Sequence, residues 1–185
     1  MHSSIIFLPE NFEEIEALTV LDILRRGELN IQSVSLTDSL WVTGSHAITV
    51  KADCLYADLA SHPVSSDSLL VLPGGPGHVH YRQHQPLLDL LTAHHQSGGR
   101  IAAICAAPSV LGRLGILNGK TAVCYPSFEE SLTGAIIGSR PVETDGNITT
   151  SQSAATALPF ALELLRLLKG ADTADAVGRQ ILYGG

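Results

Sequence analysis

Three short apolar runs constrain the fold of this chain more than any other feature. Ser4-Ile5-Ile6-Phe7-Leu8 ends at Pro9, Ser68-Leu69-Leu70-Val71-Leu72 ends at Pro73-Gly74-Gly75, and Ile101-Ala102-Ala103-Ile104 ends at Cys105. None alternates apolar with polar residues, so each reads as a strand covered on both faces. Helical patterns lie between them. Strands of this kind alternating with helices predict an α/β fold with a mostly parallel sheet and helices on both sides.

The remaining elements follow from local signals. A helix is expected from about Asn11 to Arg26, opened by a capping-box pair (Asn11 and Glu14) and stopped by Gly27. Ile31 to Leu36 reads as a strand, and 41–43 with 47–50 as a hairpin around Gly44-Ser45. Further helices are expected at 87–96, 108–114, 156–168 and 173–182. Thr121 to Tyr125 reads as a strand, and 142–149 as a hairpin turning at Asp145-Gly146. With 185 residues and no linker or repeat, one domain over 1–185 is expected.

Composition excludes several classes of function. A net charge of −7 argues against nucleic acid or an anionic membrane as partner. No apolar run reaches the roughly 20 residues of a membrane span, and Met1-His2-Ser3-Ser4 lacks the basic start of a secretion signal. Three widely spaced cysteines fit neither a disulfide framework nor a zinc site, so a reducing cytoplasm is the expected location. The eight histidines show no metal-ligand spacing, and no metal or cofactor is expected.

The chemistry-bearing positions cluster at predicted strand ends, where open α/β sheets bind ligands. Cys105 sits where a strand breaks into a helix, followed by the small residues Ala106 and Ala107 and then by Pro108. A nucleophile suits that turn, because free N–H groups and a helix end favour a thiolate; a small buried hydrophobe filling a core gap suits it too. On a helical wheel Glu16 falls inside the apolar arc, between Ile23 and Val20. Burial there would raise its pKa and fit it to exchange a proton with a thiol; a Glu reaching out to solvent is the alternative. The turn Gly74-Gly75-Pro76-Gly77 allows close backbone approach and offers amides to an oxyanion. His78, directly after it, is a candidate pocket residue.

Taken together, NFEEIEAL with DILRRG, LPGG, AAICAAPSVLG and the TTS before the last long helix resemble the ThiJ/PfpI superfamily, in its Parkinsonism-associated protein deglycase branch. The likeness spans nearly the whole chain. It implies a flavodoxin-like sandwich, usually a homodimer. It also implies that Cys105 is the reactive cysteine, that Glu16 is the carboxyl bonded to it, and that Gly74, Gly75 and Ala106 form the oxyanion pocket. Arg26 matches an arginine near the dimer interface. Tyr125 stands where the branch often has a His, which weakens a protease-like reading. His46 stands where a relative carries an arginine, and 151–156 replaces a Gly-Pro version. Cys54 lies near the hairpin used for dimer contact.

The implied activity is cofactor-independent chemistry on α-oxoaldehydes, such as conversion of methylglyoxal to lactate, or removal of early glycation from protein. Two alternatives stand beside it: redox sensing or chaperone action through oxidation of Cys105, and a small amidase or peptidase using His78 as base.

Overall fold

A computed structural model describes residues 4–61 and 64–184; Met1 to Ser3, on which the reading of a missing secretion signal rests, lie outside them. The chain forms β1 (Ser4–Leu8), α1 (Glu14–Arg26), β2 (Ile31–Ser35), β3 (Trp41–Thr43), β4 (Thr49–Lys51) and β5 (Cys54–Leu55). It continues with β6 (Leu69–Leu72), α2 (His78–Tyr81), α3 (Gln85–Gln96), β7 (Arg100–Ile104), α4 (Pro108–Arg113), β8 (Thr121–Ala122) and β9 (Ile136–Ile137). β10 (Val142–Asp145), β11 (Ile148–Ser151), α5 (Ala157–Lys169) and α6 (Ala171–Gln180) complete it. Seven strands make the main sheet in the order β10-β11-β7-β6-β1-β2-β5. All its pairings are parallel except β10 with β11.

The non-alternating strands are buried on both faces, as expected. Ile6, Leu8, Val71, Ala102 and Ile104 pack toward α1, α5 and α6. Their neighbours Ile5, Phe7, Leu70, Leu72, Ile101 and Ala103 pack toward α3 and α4. The two-residue period of a strand splits each apolar run between two cores. Sequence order reverses between β1 and β6: the chain passes from β1 outward to β2, then returns to lay β6 on the other side of β1. The crevice above that reversal is the position where such sheets hold ligands.

Several sequence expectations need correction. The capping box does not form. Asn11 takes a left-handed φ of 61°, its carbonyl accepts from Gly77 N–H, and α1 starts three residues later, at Glu14. Glu14 does not reach back to Asn11 because its carboxyl serves the hairpin instead. Gly27 ends α1 without left-handed geometry (φ −79°), and Glu28 takes that role at φ 56°. Gly27 is small for another reason: a Cβ there would lie 2.3 Å from a Leu165 methyl on α5. The strand expected at 121–125 stops after Ala122. Val123 N–H turns to the Thr150 hydroxyl at 2.9 Å, so β8 pairs with β9 outside the main sheet. The sequence reading also missed β5, β9 and α2, which are two to four residues long and too short for a periodic signal.

Candidate active site

Cys105 is the first residue after β7, and its backbone is strained. Its φ is 64°, a conformation that costs a non-glycine residue about 1 kcal/mol or more. Three contacts hold it there. Its N–H donates to Ser151 O at 3.0 Å, its carbonyl accepts from Tyr125 N–H at 2.8 Å, and Ala107 N–H closes the turn onto Ile104 O at 3.1 Å. The ends of β11 and β7 and the segment after β8 thus pin the turn. The side chain is half-buried.

Glu16 lies in the first turns of α1 and is 1% exposed, as its place on the helical wheel predicted. Its Oε2 accepts the Gly74 N–H at 2.7 Å. The other oxygen, Oε1, is buried without a partner of regular hydrogen-bond geometry. The Cys105 thiol lies close enough to this carboxyl for ionisation of one to disfavour ionisation of the other. Burial lifts the Glu16 pKa to about 7, against the pull of the Gly74 amide and of Cys105. Burial likewise pushes the Cys105 thiol up to about 12, and the Glu16 carboxylate adds to it; the amides of Gly75 and Ala106 pull it down.

These values correct the expectation of a thiolate favoured by a helix end. α4 has only six residues, too little aligned backbone to offset burial beside a carboxylate. The thiol and the acid titrate as a pair, and ionising one disfavours ionising the other.

The glycine turn supplies both amides and space. Gly74 has its N–H committed to Glu16, so it is not a free oxyanion donor; Gly75 and Ala106 are the amides that face the sulfur. Gly75 needs its φ of 85°, and a Cβ there would meet Glu13 N at 2.6 Å. His78 lines the same wall. Its Nδ1 bonds the Gly75 carbonyl at 3.0 Å, and its ring sits edge-on to Phe128 at 5.4 Å. Burial lowers its pKa. Tyr125 supports Cys105 through its backbone, while its side chain is exposed. Among the described residues, neither side chain makes a hydrogen bond to the thiol.

Sequence reasoning did not find the residues that brace this turn. The Ser109 hydroxyl, 1% exposed, donates to Ala106 O at 2.6 Å and accepts from Arg82 at 3.0 Å. Ser151 bonds Thr156 at 2.6 Å beneath it. Both serines fall inside the motifs AAICAAPSVLG and TTS, but the bracing role of each hydroxyl is visible only from its contacts.

A second polar cluster lies under the hairpin. Glu14 Oε1 accepts His46 N–H at 2.7 Å, and Oε2 meets His46 Nδ1 at 2.8 Å. Burial opposes ionisation of Glu14, yet the bonds from His46 prevail and bring its pKa to about 2. Glu13, Glu14 and His46 bring potential ligand atoms within 4.8 Å of one another, but the imidazole and the Glu14 carboxylate already satisfy each other. Arg26 pairs with Asp22 on the surface of α1 at 2.7 Å. Cys54, in β5, is half-buried with its pKa raised by burial.

The chain is similar to known proteins over most of its length. Residues 2–167 match the DJ-1/PfpI family. Protein dj-1beta of Drosophila melanogaster is 33% identical over 97% of this chain and 96% of its own length. A Caenorhabditis elegans protein named as a glutathione-independent glyoxalase is 30% identical, over 95% of this chain and 93% of its own. A solved structure described as Toxoplasma gondii DJ-1, oxidized, superposes with a TM-score of 0.93 at 32% identity, covering 100% of both chains.

Proposed function

This chain belongs to the DJ-1/PfpI family, and from that premise we propose that it converts α-oxoaldehydes to 2-hydroxy acids through Cys105, without a bound cofactor. The observation that carries this reading is the buried Glu16 carboxyl, with a pKa near 7, beside a strained, half-buried thiol. An acid with that pKa exists in both forms at neutral pH, as a proton shuttle requires. As the carboxylate, Glu16 takes the thiol proton while sulfur adds to the aldehyde carbon, then gives that proton to the new oxyanion, forming a hemithioacetal and returning to the carboxylate. It then moves a proton from that carbon to the neighbouring carbonyl carbon through an enediol, leaving a thioester. Water releases the hydroxy acid: lactate from methylglyoxal. The Gly75 and Ala106 amides stabilise the oxygen anion of each addition step. Hemithioacetals and hemiaminals on proteins present the same carbon framework, so early glycation adducts fall within the same chemistry.

The place of action is proposed as cytoplasmic, in keeping with three free cysteines. Among the described residues no helix is long and apolar enough to cross a membrane. A homodimer is part of the same reading: Ile15, Leu18, Trp41 and Ile48 are exposed on α1 and around the hairpin.

The test is lactate formation from methylglyoxal by purified protein without added glutathione. Wild type should produce it, Cys105→Ser should abolish it, and Glu16→Gln should slow it about 100-fold or more, the usual worth of a placed acid–base group. No lactate from wild type, or undiminished lactate from Cys105→Ser, overturns the reading.

A second reading is redox sensing. The amides that face the sulfur would also hold the oxygens of a sulfinate, and the Toxoplasma gondii relative is described as oxidized. Intact mass after mild peroxide separates the two: two oxygens gained at Cys105 alone favours sensing.

A further inference from the structure

Arg82 is a cation without a carboxylate partner: among the described residues it enters no ion pair. It caps the short helix α2 that begins at His78. Its Nη2 donates to Ser109 Oγ at 3.0 Å, and that hydroxyl donates to the carbonyl of Ala106 at 2.6 Å. Two hydrogen bonds therefore separate the guanidinium from the residue next to Cys105. The tether is neutral, so the positive charge is not cancelled where it is held. Ser109 is buried while Arg82 is exposed. One N–H of the guanidinium is thus anchored to the turn, on a residue that is exposed as a whole. The charge also reaches His78 on the same wall, where it adds to the effect of burial on the imidazole. In a chain of net charge −7, such an arginine is a local reversal of sign tied to the turn that carries the thiol. Guanidinium is suited to carboxylates by its planar fork of donors.

We propose that Arg82 is a specificity-determining residue that selects carbonyl compounds carrying a carboxylate for reaction at Cys105. The inference deepens the α-oxoaldehyde reading and rests on it for the identity of the reacting group.

The test uses two alkylating agents of nearly equal size and opposite demand on charge. Sulfur displaces iodide from iodoacetate, an anion, or from iodoacetamide, which is neutral. The ratio of the two rates at Cys105 cancels changes in the nucleophilicity of the sulfur, so a merely structural role for Arg82 does not move it. Arg82→Gln should lower the iodoacetate-to-iodoacetamide ratio about threefold to tenfold, the order of effect of one solvent-screened unit charge. Arg82→Lys should recover most of the loss. Added salt should lower the wild-type ratio toward that of the Gln variant. A ratio unchanged by Arg82→Gln, or a loss that Arg82→Lys does not recover, overturns the proposal.

A turnover experiment separates this proposal from the functional reading. It compares methylglyoxal with dioxovaleric acid, an α-oxoaldehyde ending in a carboxylate. Conversion of methylglyoxal with an alkylation ratio indifferent to Arg82 sinks the anion subsite and leaves the activity standing. An Arg82-dependent ratio with neither aldehyde converted sinks the activity and leaves the subsite standing.

Discussion

Cys105 and Glu16 meet at Gly74: a single carbon added to that glycine would lie 2.6 Å from Cys105 Cβ and 2.9 Å from Glu16 Oε2. The missing side chain at Gly74 is what lets an acid from α1 and a thiol from the end of β7 share one space. The glycine's own amide then fixes the acid's position.

Gly74→Ala should therefore damage the site more than the fold. The new methyl group also lies 3.0 Å from Ile104 O, and backbone cannot yield as a flexible side chain does. A loss of about 1–3 kcal/mol is expected from the crowding, together with a large loss of methylglyoxal conversion. Gly98→Ala is the control. Its φ of 84° makes alanine unfavourable, but open space surrounds it, so stability should fall while the conversion rate of the folded protein holds. Thermal melts and lactate assays check both.

Glu16 makes stability fall as pH rises. Its pKa is raised from 4.5 in the unfolded chain to about 7 in the folded one. The folded protein thus holds a proton that the unfolded chain has released. The contribution is fully present below 4.5 and is lost as pH climbs through 7. A shift of this size corresponds to about 3 kcal/mol at most. Denaturant melts of wild type and Glu16→Gln across this window should show the wild type losing ground to the variant as pH rises. Histidines with lowered pKa values affect both proteins alike and cancel in the comparison.

Glu14 acts with the opposite sign. Its pKa falls from 4.5 to about 2, so its contribution is complete above 4.5 and is lost as pH drops toward 2. Glu14→Gln should loosen the β3–β4 hairpin, because the His46 amide loses a charged acceptor held at 2.7 Å. A cost of about 1–3 kcal/mol near neutral pH is expected, shrinking in acid. Hydrogen exchange at the His46 amide reads the loosening locally.

The parts of this protein legible in the sequence are those with a period or a punctuation mark. The runs ending at Leu8, Leu72 and Ile104 announced buried parallel strands, and the wheel position of Glu16 announced a sheltered carboxyl. Cys105 stood out because it interrupts a strand. What the sequence could not carry depends on contact between distant segments. The Arg82–Ser109–Ala106 chain joins positions 27 residues apart, and the Glu14–His46 pair joins positions 32 apart. Asn11 and Glu14 had the spacing of a capping box, yet a tertiary partner for Glu14 outcompeted the local one. The ionisation of Cys105 was misjudged because a helix end is visible in sequence, whereas burial beside a carboxylate is not.

The coupling of Glu16 to Cys105 is tested most directly by the pH dependence of Cys105 alkylation in wild type and in Glu16→Gln. In the wild type the pair should release its protons in two separated steps, toward about 7 and about 12, with only part of the sulfur ionised between them. In the variant a neutral amide replaces the acid, so the thiol should titrate in one step lying between those two. Superimposable profiles for the two proteins would contradict the coupling, and with it the proton exchange on which the proposed chemistry depends.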